Sequence, residues 1–490
     1  MTIEDFIDKE LSHFSNYDNI RSIPNVADGL KPSQRKILFA AFKRNLTTEI
    51  KVAQFSGYVS EHAAYHHGEV SLQSTLISMA QNFVGANNIS LFVPSGAFGS
   101  RIQGGHDAAS PRYIFTYLHP ITKFIYRQED LPVMDYLDDD GFQIEPKYYM
   151  PILPMILVNG SSGIGTGYST DIPPHHPKDI IQCMLNKLEG KAPIFIKPWF
   201  CGFKGTVTRP NPESGWVNKG LYEIVDDNTI QITELPIGTW TERYKLYLED
   251  SMIDKSNPNK KQFIKSYTEQ CSDTVIHFTL KLNKEKIDEL RYNTEELEKL
   301  IKIADTSYTS TSNMYLYDPS IKIYKYASQY DILNEFFNLR LDFYQKRKDH
   351  QLAALLNDLN LLKERYRFIK MIVEGEIDIR GKSKVSVEQM LEENSFLKLA
   401  NTQGKETSYD YLVQMPIYSL TNEKLQELKD RMEKKQVEYD TLYVRDIKDI
   451  WREELNELSI QVDKYYQEYD LMLSGEDSKP KQGGGKAKKK

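Results

Sequence analysis

Tyr113 stands in the run Ser110-Pro111-Arg112-Tyr113-Ile114-Phe115, and the neighbouring residue types suit phosphoryl chemistry. A phenol with a reference pKa of about 10 is a poor nucleophile unless a cation such as Arg112 favours the phenolate. The same guanidinium can offset charge on a phosphate. Pro111 stiffens the segment. The stretch Gly96-Ala97-Phe98-Gly99-Ser100-Arg101-Ile102-Gln103-Gly104-Gly105 just before it lets backbone lie close against a ligand. Taken alone, the run is also what a half-buried strand tyrosine looks like, and the chain has 31 Tyr.

Tyr65-His66-His67-Gly68-Glu69 places two imidazoles and a carboxylate immediately before a helical pattern. Adjacent histidines rarely face one ligand and no further ligand follows at i+4, so metal binding is poorly served. A histidine bonded to a phosphate oxygen, helped by helix N-terminal N–H groups, fits better. Solvent-facing loop histidines fit as well. Asn159 to Gly167 resembles a phosphate-cradling loop but lacks the Lys-Ser/Thr ending, so its glycines read as a tight turn. Ile164, between Gly163 and Gly165, is left without cover, as a wedge residue entering a base step is. Asp138-Asp139-Asp140, followed by Gly141, reads as a turn rather than a metal centre.

These residues need elements to hold them. Pro32 suits the first position of a helix running through Ser-Gln-Arg-Lys-Ile-Leu-Phe-Ala-Ala-Phe. Leu72, Leu76, Met79 and Phe83 form the stripe of a second helix. Two loop-joined helices on a basic segment resemble a helix-turn-helix. Met155-Ile156-Leu157-Val158, bounded by Pro154 and Asn159-Gly160, reads as a strand. From about 185 to 325 the pattern is mixed, with β-rich pieces at Gly205–Thr208 and Thr229–Thr233, and implies a separate α/β domain.

From about 326 to 470 long charged helices take over. Leu352, Leu355, Leu359, Leu362, Tyr366, Ile369 and Val373 fall at gaps of three and four, a heptad seam. It is expected to pack against a second long helix opening at Leu420-Thr421 and reaching about Leu458. Thr421 can cap that helix, and Leu420 can staple onto Leu425. Ile377 to Tyr418 reads as a small globular insert. The tail from Gly483 is basic and reads as disordered.

With 490 residues, the chain has room for about three domains at roughly 100–200 residues each. A mean hydropathy of -0.53 and the lack of any apolar run of about 18 residues exclude a membrane protein. The acidic N-terminus lacks the pattern of a secretory signal. Three scattered cysteines indicate a reducing, intracellular setting. The net charge of -7 argues against a uniformly basic coat. Between Arg21 and Arg112, however, nine basic residues face five acidic ones, giving a basic face on an acidic protein.

Together these segments resemble the cleavage-reunion part of type IIA DNA topoisomerases, most like the eukaryotic and large-virus type. The resemblance rests on Arg21–Pro24, Asp28–Lys36, Lys51–Gln54, Tyr65–Glu69, Ala80–Gly85, Ser110–Phe115 and Asn159–Gly167, in order. It extends through Glu234-Leu235-Pro236, Thr239-Trp240-Thr241 and Tyr411–Pro416. It implies an α+β multidomain fold: a winged-helix domain with the catalytic tyrosine over 1–180, a tower-like α/β domain over 181–325, and a coiled coil over 326–470. The coiled coil would carry a dimerisation insert at about 377–418, and a basic tail would follow at 471–490.

By the same resemblance Tyr113 attacks a DNA phosphate and stays on the 5′ end, Arg112 stabilises the transition state, and His67, with His66 beside it, contacts the scissile strand. Arg21, Lys31, Arg35 and Lys36 would hold duplex DNA, and Ile164 would intercalate. The implied partners are double-stranded DNA, a second copy joined through the coiled-coil region, and an ATPase and magnesium-binding subunit or region. Neither a Glu-Gly-Asp-Ser-Ala segment nor an Asp-x-Asp-x-Asp centre is present, so Mg2+ and ATP are expected on that partner or on an N-terminal region. The chain is expected to be a split subunit or a fragment acting where DNA is replicated, in a nucleus, a viral factory or a bacterial cytoplasm. Two other readings use the same residues. One is a non-catalytic winged-helix DNA-bending protein; the other is a His/Tyr nicking endonuclease, which needs a His-x-His metal pair where this chain has adjacent histidines.

Overall fold

Pro32 opens a helix as expected, and the computed structural model places it beside two more. The structure describes residues 2–210, 215–252, 263–290, 293–304, 311–379, 381–400, 407–416 and 421–474. The helices are α1 (Ser12–Ser22), α2 (Pro32–Lys43), α3 (Val52–His62) and α4 (Glu69–Ala80). At the start of α2 the Gln34 side chain accepts from the Lys31 N–H at 2.9 Å, satisfying a donor before the first turn. Ile37, Leu38 and Ala41 of α2, Phe55 and Val59 of α3, and Leu72, Leu76 and Met79 of α4 are buried. Phe83 lies beyond the end of α4, because the chain turns extended at Gln81, and it packs edge-on against Trp240.

A three-stranded antiparallel sheet follows, ordered β1 (Ile50–Lys51), β3 (Phe115–Leu118), β2 (Phe92–Ser95). Lys51 pairs with Phe115, and Ser95 pairs with the same residue from the other side. The strand after Tyr113 is thus held on both edges. Hairpin β4 (Tyr136–Asp139) and β5 (Phe142–Pro146) comes next.

Met155–Val158 is not a strand. It forms the buried helix α5 (Met155–Asn159), closed by Gly160 at φ +67°. A four-residue apolar run between Pro and Gly suits either element, and burial on all sides removes the periodicity that would tell them apart. The glycines after it form hairpin β6 (Ser161–Ile164) and β7 (Ser169–Ile172).

Helix α6 (Pro177–Leu188) leads into the β-rich region, where β8 (Thr206–Thr208) pairs with β9 (Val217–Lys219). A four-stranded antiparallel sheet runs β10 (Leu221–Ile224), β11 (Thr229–Glu234), β13 (Phe278–Leu282), β12 (Ile264–Glu269). Ile230, Ile232, Phe278 and Leu280 pack there with Tyr244 and Leu248 of α7 (Thr241–Asp250) and with Leu297 of α8 (Thr294–Leu300).

The chain divides into two compact units, residues 1–340 with 451–490, and residues 341–450. In the second, the long helix α9 (Gln329–Val373) contributes its part from Leu341 onward, joined by α10 (Lys384–Glu393) and α11 (Asn422–Val444). Leu362, Phe368 and Ile369 form a core with Ile377, Leu391, Phe396 and Leu412 of the insert and Leu428 of α11. Lys348 Nζ donates to the Tyr443 and Arg445 carbonyls at 2.9 and 2.7 Å. With Leu362 meeting Leu428, that makes α9 and α11 antiparallel. Val373, 39% exposed, falls outside the seam. Thr421 accepts from the Lys424 N–H as a cap, whereas the Leu420 staple lies outside the described residues.

The second long helix does not continue unbroken to Leu458. It ends at Val444, Arg445 is extended, and α12 (Ile447–Ser474) begins with Asp446 accepting from the Lys448 N–H at 2.8 Å. From Trp451 onward the chain belongs to the first unit, which corrects the single arm read over 326–470. Trp451 supplies the reason. Its ring is fully buried against Phe337, and its indole N–H reaches the Ile152 carbonyl at 3.0 Å. Residues 471–474 are helical, and the tail from Gly483 lies outside the described residues.

Candidate functional site

The Tyr113 turn is fixed by backbone. The first N–H groups of α3, which a helix cannot satisfy internally, donate to carbonyls on either side of the tyrosine: Val52 to Ile114 at 3.0 Å and Ala53 to Pro111 at 3.1 Å. Tyr113 N–H closes the turn onto the Ser110 carbonyl at 2.9 Å. On the other side the Ala109 N–H reaches the Ala97 carbonyl, and Gly96, at φ +107°, sits where a Cβ would stand 3.1 Å from Ile114 Cγ2. Ile114 is buried while Tyr113 is 69% exposed, so the phenol projects into solvent. It lies in a turn before β3 and is not a half-buried strand residue. The Arg112 guanidinium stands 5.9 Å from its ring centroid, at the outer reach of a cation–π contact.

The hairpin that carries Ile164 is built differently. Asn19 Nδ2 donates to the Thr166 carbonyl at 3.1 Å, Thr166 Oγ1 to Asp18 at 2.8 Å, and Lys31 Nζ to the Ser162 carbonyl at 2.8 Å. The β6–β7 hairpin is therefore tied to the last turns of α1 and to the entry of α2. Burial lowers the Lys31 pKa. Ile164, held between two glycines pressed against α1, is 84% exposed.

His67 Nε2 is hydrogen-bonded to the Tyr17 hydroxyl, and the Arg21 guanidinium stacks 5.5 Å from the same Tyr17 ring. Burial, then the charges of Arg21, His66 and Lys36, lower the His67 pKa and favour the neutral imidazole. His66 is exposed, 3.4 Å from Asp139. Helix α1 thus collects Arg21, His67, Lys31 and Ile164 along its C-terminal half. The Tyr113 turn stands apart: among the described residues no hydrogen bond or ion pair joins it to these groups.

Arg35 is not on this face. Only 7% exposed, it places Nε 2.7 Å and Nη2 3.1 Å from the Asp28 carboxylate, with a further bond to the Leu30 carbonyl. Burial alone would lower its pKa, but Asp28 raises it overall. Lys36 bonds the Ala63 carbonyl and Glu145, the latter at 2.9 Å. Both cations lie on the inward side of α2 and bond partners within the fold, where the sequence reading gave them DNA as well.

Sequence reasoning missed Tyr17, whose signal was present four residues before Arg21 on one helix face. It also missed Asp18, Asn19 and Ser22, which no spacing rule singles out. Asp138 accepts from the Gly141 N–H, and Asp140 and Gly141 both have positive φ, so the acidic run ends β4 and opens the turn into β5. No group of three His, Cys, Asp or Glu is arranged for a metal ion among the described residues. Among the same residues no helix is long and apolar enough to cross a membrane.

A family model for the A subunit of DNA gyrase/topoisomerase IV matches residues 21–456. The mitochondrial DNA topoisomerase 2 of Dictyostelium discoideum is 43% identical over 438 residues, covering 89% of this chain and 33% of that protein. DNA topoisomerase 2 of Saccharomyces cerevisiae is 42% identical over 480 residues, covering 88% of this chain and 33% of its own length. The chain therefore spans about a third of these curated relatives. The crystal structure of the Plasmodium falciparum topoisomerase II DNA-binding, cleavage and re-ligation domain superposes with a TM-score of 0.85 at 38% identity, covering 96% of this chain and 65% of that one. With a model match across most of its length and relatives near 40% identity, the chain belongs to the family of the DNA gyrase/topoisomerase IV A subunit.

Proposed function

We propose that this chain is the DNA cleavage-reunion part of an ATP-dependent type IIA topoisomerase. The observation that carries the reading is Tyr113, solvent-exposed beside Arg112 on a turn whose backbone is fixed by α3 and by the Gly96 loop. In the reaction the Tyr113 oxygen bonds to a DNA phosphorus while the bond to the 3′ oxygen breaks, and the phenolic proton leaves to solvent or a base. A phosphodiester replaces a phosphodiester, so religation by the 3′ hydroxyl is nearly isoenergetic. Arg112 offsets charge on the phosphoryl group as it transfers.

Helices α2 to α4 with the β1–β3–β2 sheet act as the winged helix, residues 181–325 as the tower, and the insert at about 377–418 as the contact with a second copy. Arg21 and Lys31 hold flanking phosphates, His67 with His66 meets the scissile strand, and Ile164 enters a base step. Magnesium, if bound, would supply positive charge to the leaving 3′ oxygen. The carboxylates described above form no such centre, so magnesium and ATP are assigned to a partner chain or to a region outside this sequence. The place of action is wherever DNA is replicated.

The test supplies closed-circular DNA and a partner carrying the magnesium and ATPase regions, adds denaturant, and maps protein-linked 5′ ends. Adducts on both strands, staggered, are expected. Adducts on one strand alone would transfer the chain to the nicking class, and none at all with DNA bound would leave the bending protein.

A further inference from the structure

We infer that the first unit carries a second binding site, for a small aromatic amine, behind the loop that leads to Tyr113. A cavity of about 420 Å3 lies there, walled by Phe83, Phe98, Ile102 and Met472, with Asp107 and Asp273 bordering it. That volume is within the range of small-molecule pockets, and apolar walls with a few polar groups are their usual lining.

The charge balance selects the ligand. Arg101 also lines the cavity, but its guanidinium is committed to the buried Glu234 carboxylate. Asp107 is held by Ser100, whose N–H and hydroxyl donate to its two oxygens. Asp273 is exposed on the loop between β12 and β13, near Thr274, which also lines the cavity. Two carboxylates without a free cation among the lining groups favour a positive ligand head, and the two phenylalanines favour an aromatic body, which also suits cation–π contact. An ammonium group at the rim with a ring against Phe83 and Phe98 satisfies both.

The position gives the site a consequence. Gly96, Ala97 and Gly99 line the same cavity. Ala97 accepts from Ala109, Gly96 touches Ile114, and Gly99 is folded so tightly on Gly105 that a Cβ would stand 2.6 Å from its carbonyl oxygen. A bound molecule therefore packs on the inner side of the segment whose outer end presents Tyr113, one residue from Ile114. That consequence rests on the function proposed above; the existence of the site does not.

The probe is tryptamine, titrated into the full chain without DNA or partner by isothermal calorimetry and by saturation-transfer NMR. Binding at about 1 mM is expected for so small a molecule, with indole-3-acetate, its anionic counterpart, at least several-fold weaker. Met472→Trp, at a partly exposed position on the last turn of α12, fills the cavity and should weaken tryptamine at least tenfold. Asp273→Asn, on the surface, should narrow the gap between the two probes. Circular dichroism melting of both variants checks that each is folded. Absence of tryptamine binding to the wild type, equal binding to Met472→Trp, or equal affinity for the cationic and anionic probes would each overturn the assignment. None of these readouts uses DNA cleavage, so their failure is separable from failure of the catalytic reading.

Discussion

A Cβ on Gly163 would stand 2.0 Å from the carbonyl oxygen of Ser22, so hairpin and helix are in backbone contact at this point. Gly165 repeats the relationship, 2.2 Å from Asn19 Oδ1. Neither partner is the end of a flexible side chain that could swing far, because Asn19 is itself buried and bonded to Thr166. Gly163→Ala should therefore shift the hairpin and Ile164 with it, although the substitution adds only a methyl group. DNA bending, read by energy transfer between end-labelled duplex ends, should fall in Gly163→Ala and in Ile164→Ala alike. A full bend in Ile164→Ala would return that side chain to a packing role.

Tyr113→Phe removes only the attacking oxygen. Duplex affinity is set by many phosphate contacts and should stay within about twofold, while covalent attachment disappears. Arg112→Ala should slow single-turnover cleavage by roughly 100-fold or more, the scale of losing one charge-stabilising donor. Covalent adducts persisting in Tyr113→Phe would falsify the assignment of the nucleophile.

Arg35 separates a structural cation from a DNA-binding one. Removing one partner of a buried pair leaves an uncompensated charge, so Arg35→Ala should destabilise the first unit by about 3–5 kcal/mol. The exposed Arg21→Ala should cost little stability and instead reduce the salt dependence of DNA binding by about one phosphate. Urea unfolding and a salt titration on both variants distinguish them. If Arg35→Ala melts like wild type, the buried pair has been assigned the wrong role.

Two histidines set an acid limit. Burial depresses His119 and His175 to about 4, and the His175 ring is bonded to the Leu157 carbonyl. Each stays neutral in the folded chain while its unfolded counterpart takes a proton near pH 6.5. Their contribution is thus intact above about pH 6.5 and declines as pH falls toward 4. By pH 5 the loss is roughly 2 kcal/mol for each, as an upper figure. Denaturant midpoints between pH 7.5 and 5 should fall, and His119→Asn should flatten the fall. An identical slope in that variant would show that His119 does not titrate this way.

The sequence singled out Tyr113, Arg112 and Ile164 as candidates because each sits in a distinctive local pattern, proline before or glycine around it. Pro32, the β-rich pieces and the heptad from Leu352 to Ile369 were legible by periodicity and capping. The pairing of Arg35 with Asp28 was not legible, because a cation facing inward to a carboxylate and one facing outward to DNA have the same neighbours in sequence. Only tertiary placement of Tyr149, whose N–H also reaches Asp28 at 2.9 Å, separates them. The break at Arg445 was hidden for a similar reason. Charged, periodic sequence continues on both sides of it, and the burial of Trp451 beside Ile152 and Phe337, far away in sequence, decides where α12 goes.

Arg21, Arg112 and Lys31 give the chain by itself cations on the proposed DNA face, whereas Arg35 and Lys36 also bond Asp28 and Glu145 within the fold. Duplex binding should weaken steeply with salt, with log K falling by about 0.9 per phosphate contacted per decade of salt. Relaxation or decatenation should be absent with or without ATP, because the chain spans about a third of its curated relatives and strand passage is assigned above to an assembly with the magnesium and ATPase regions. Supplying the partner region should restore both activities, and Tyr113→Phe should block that restoration. ATP-dependent strand passage by the purified chain alone would place the metal and nucleotide sites within this sequence and require a different assignment of its domains.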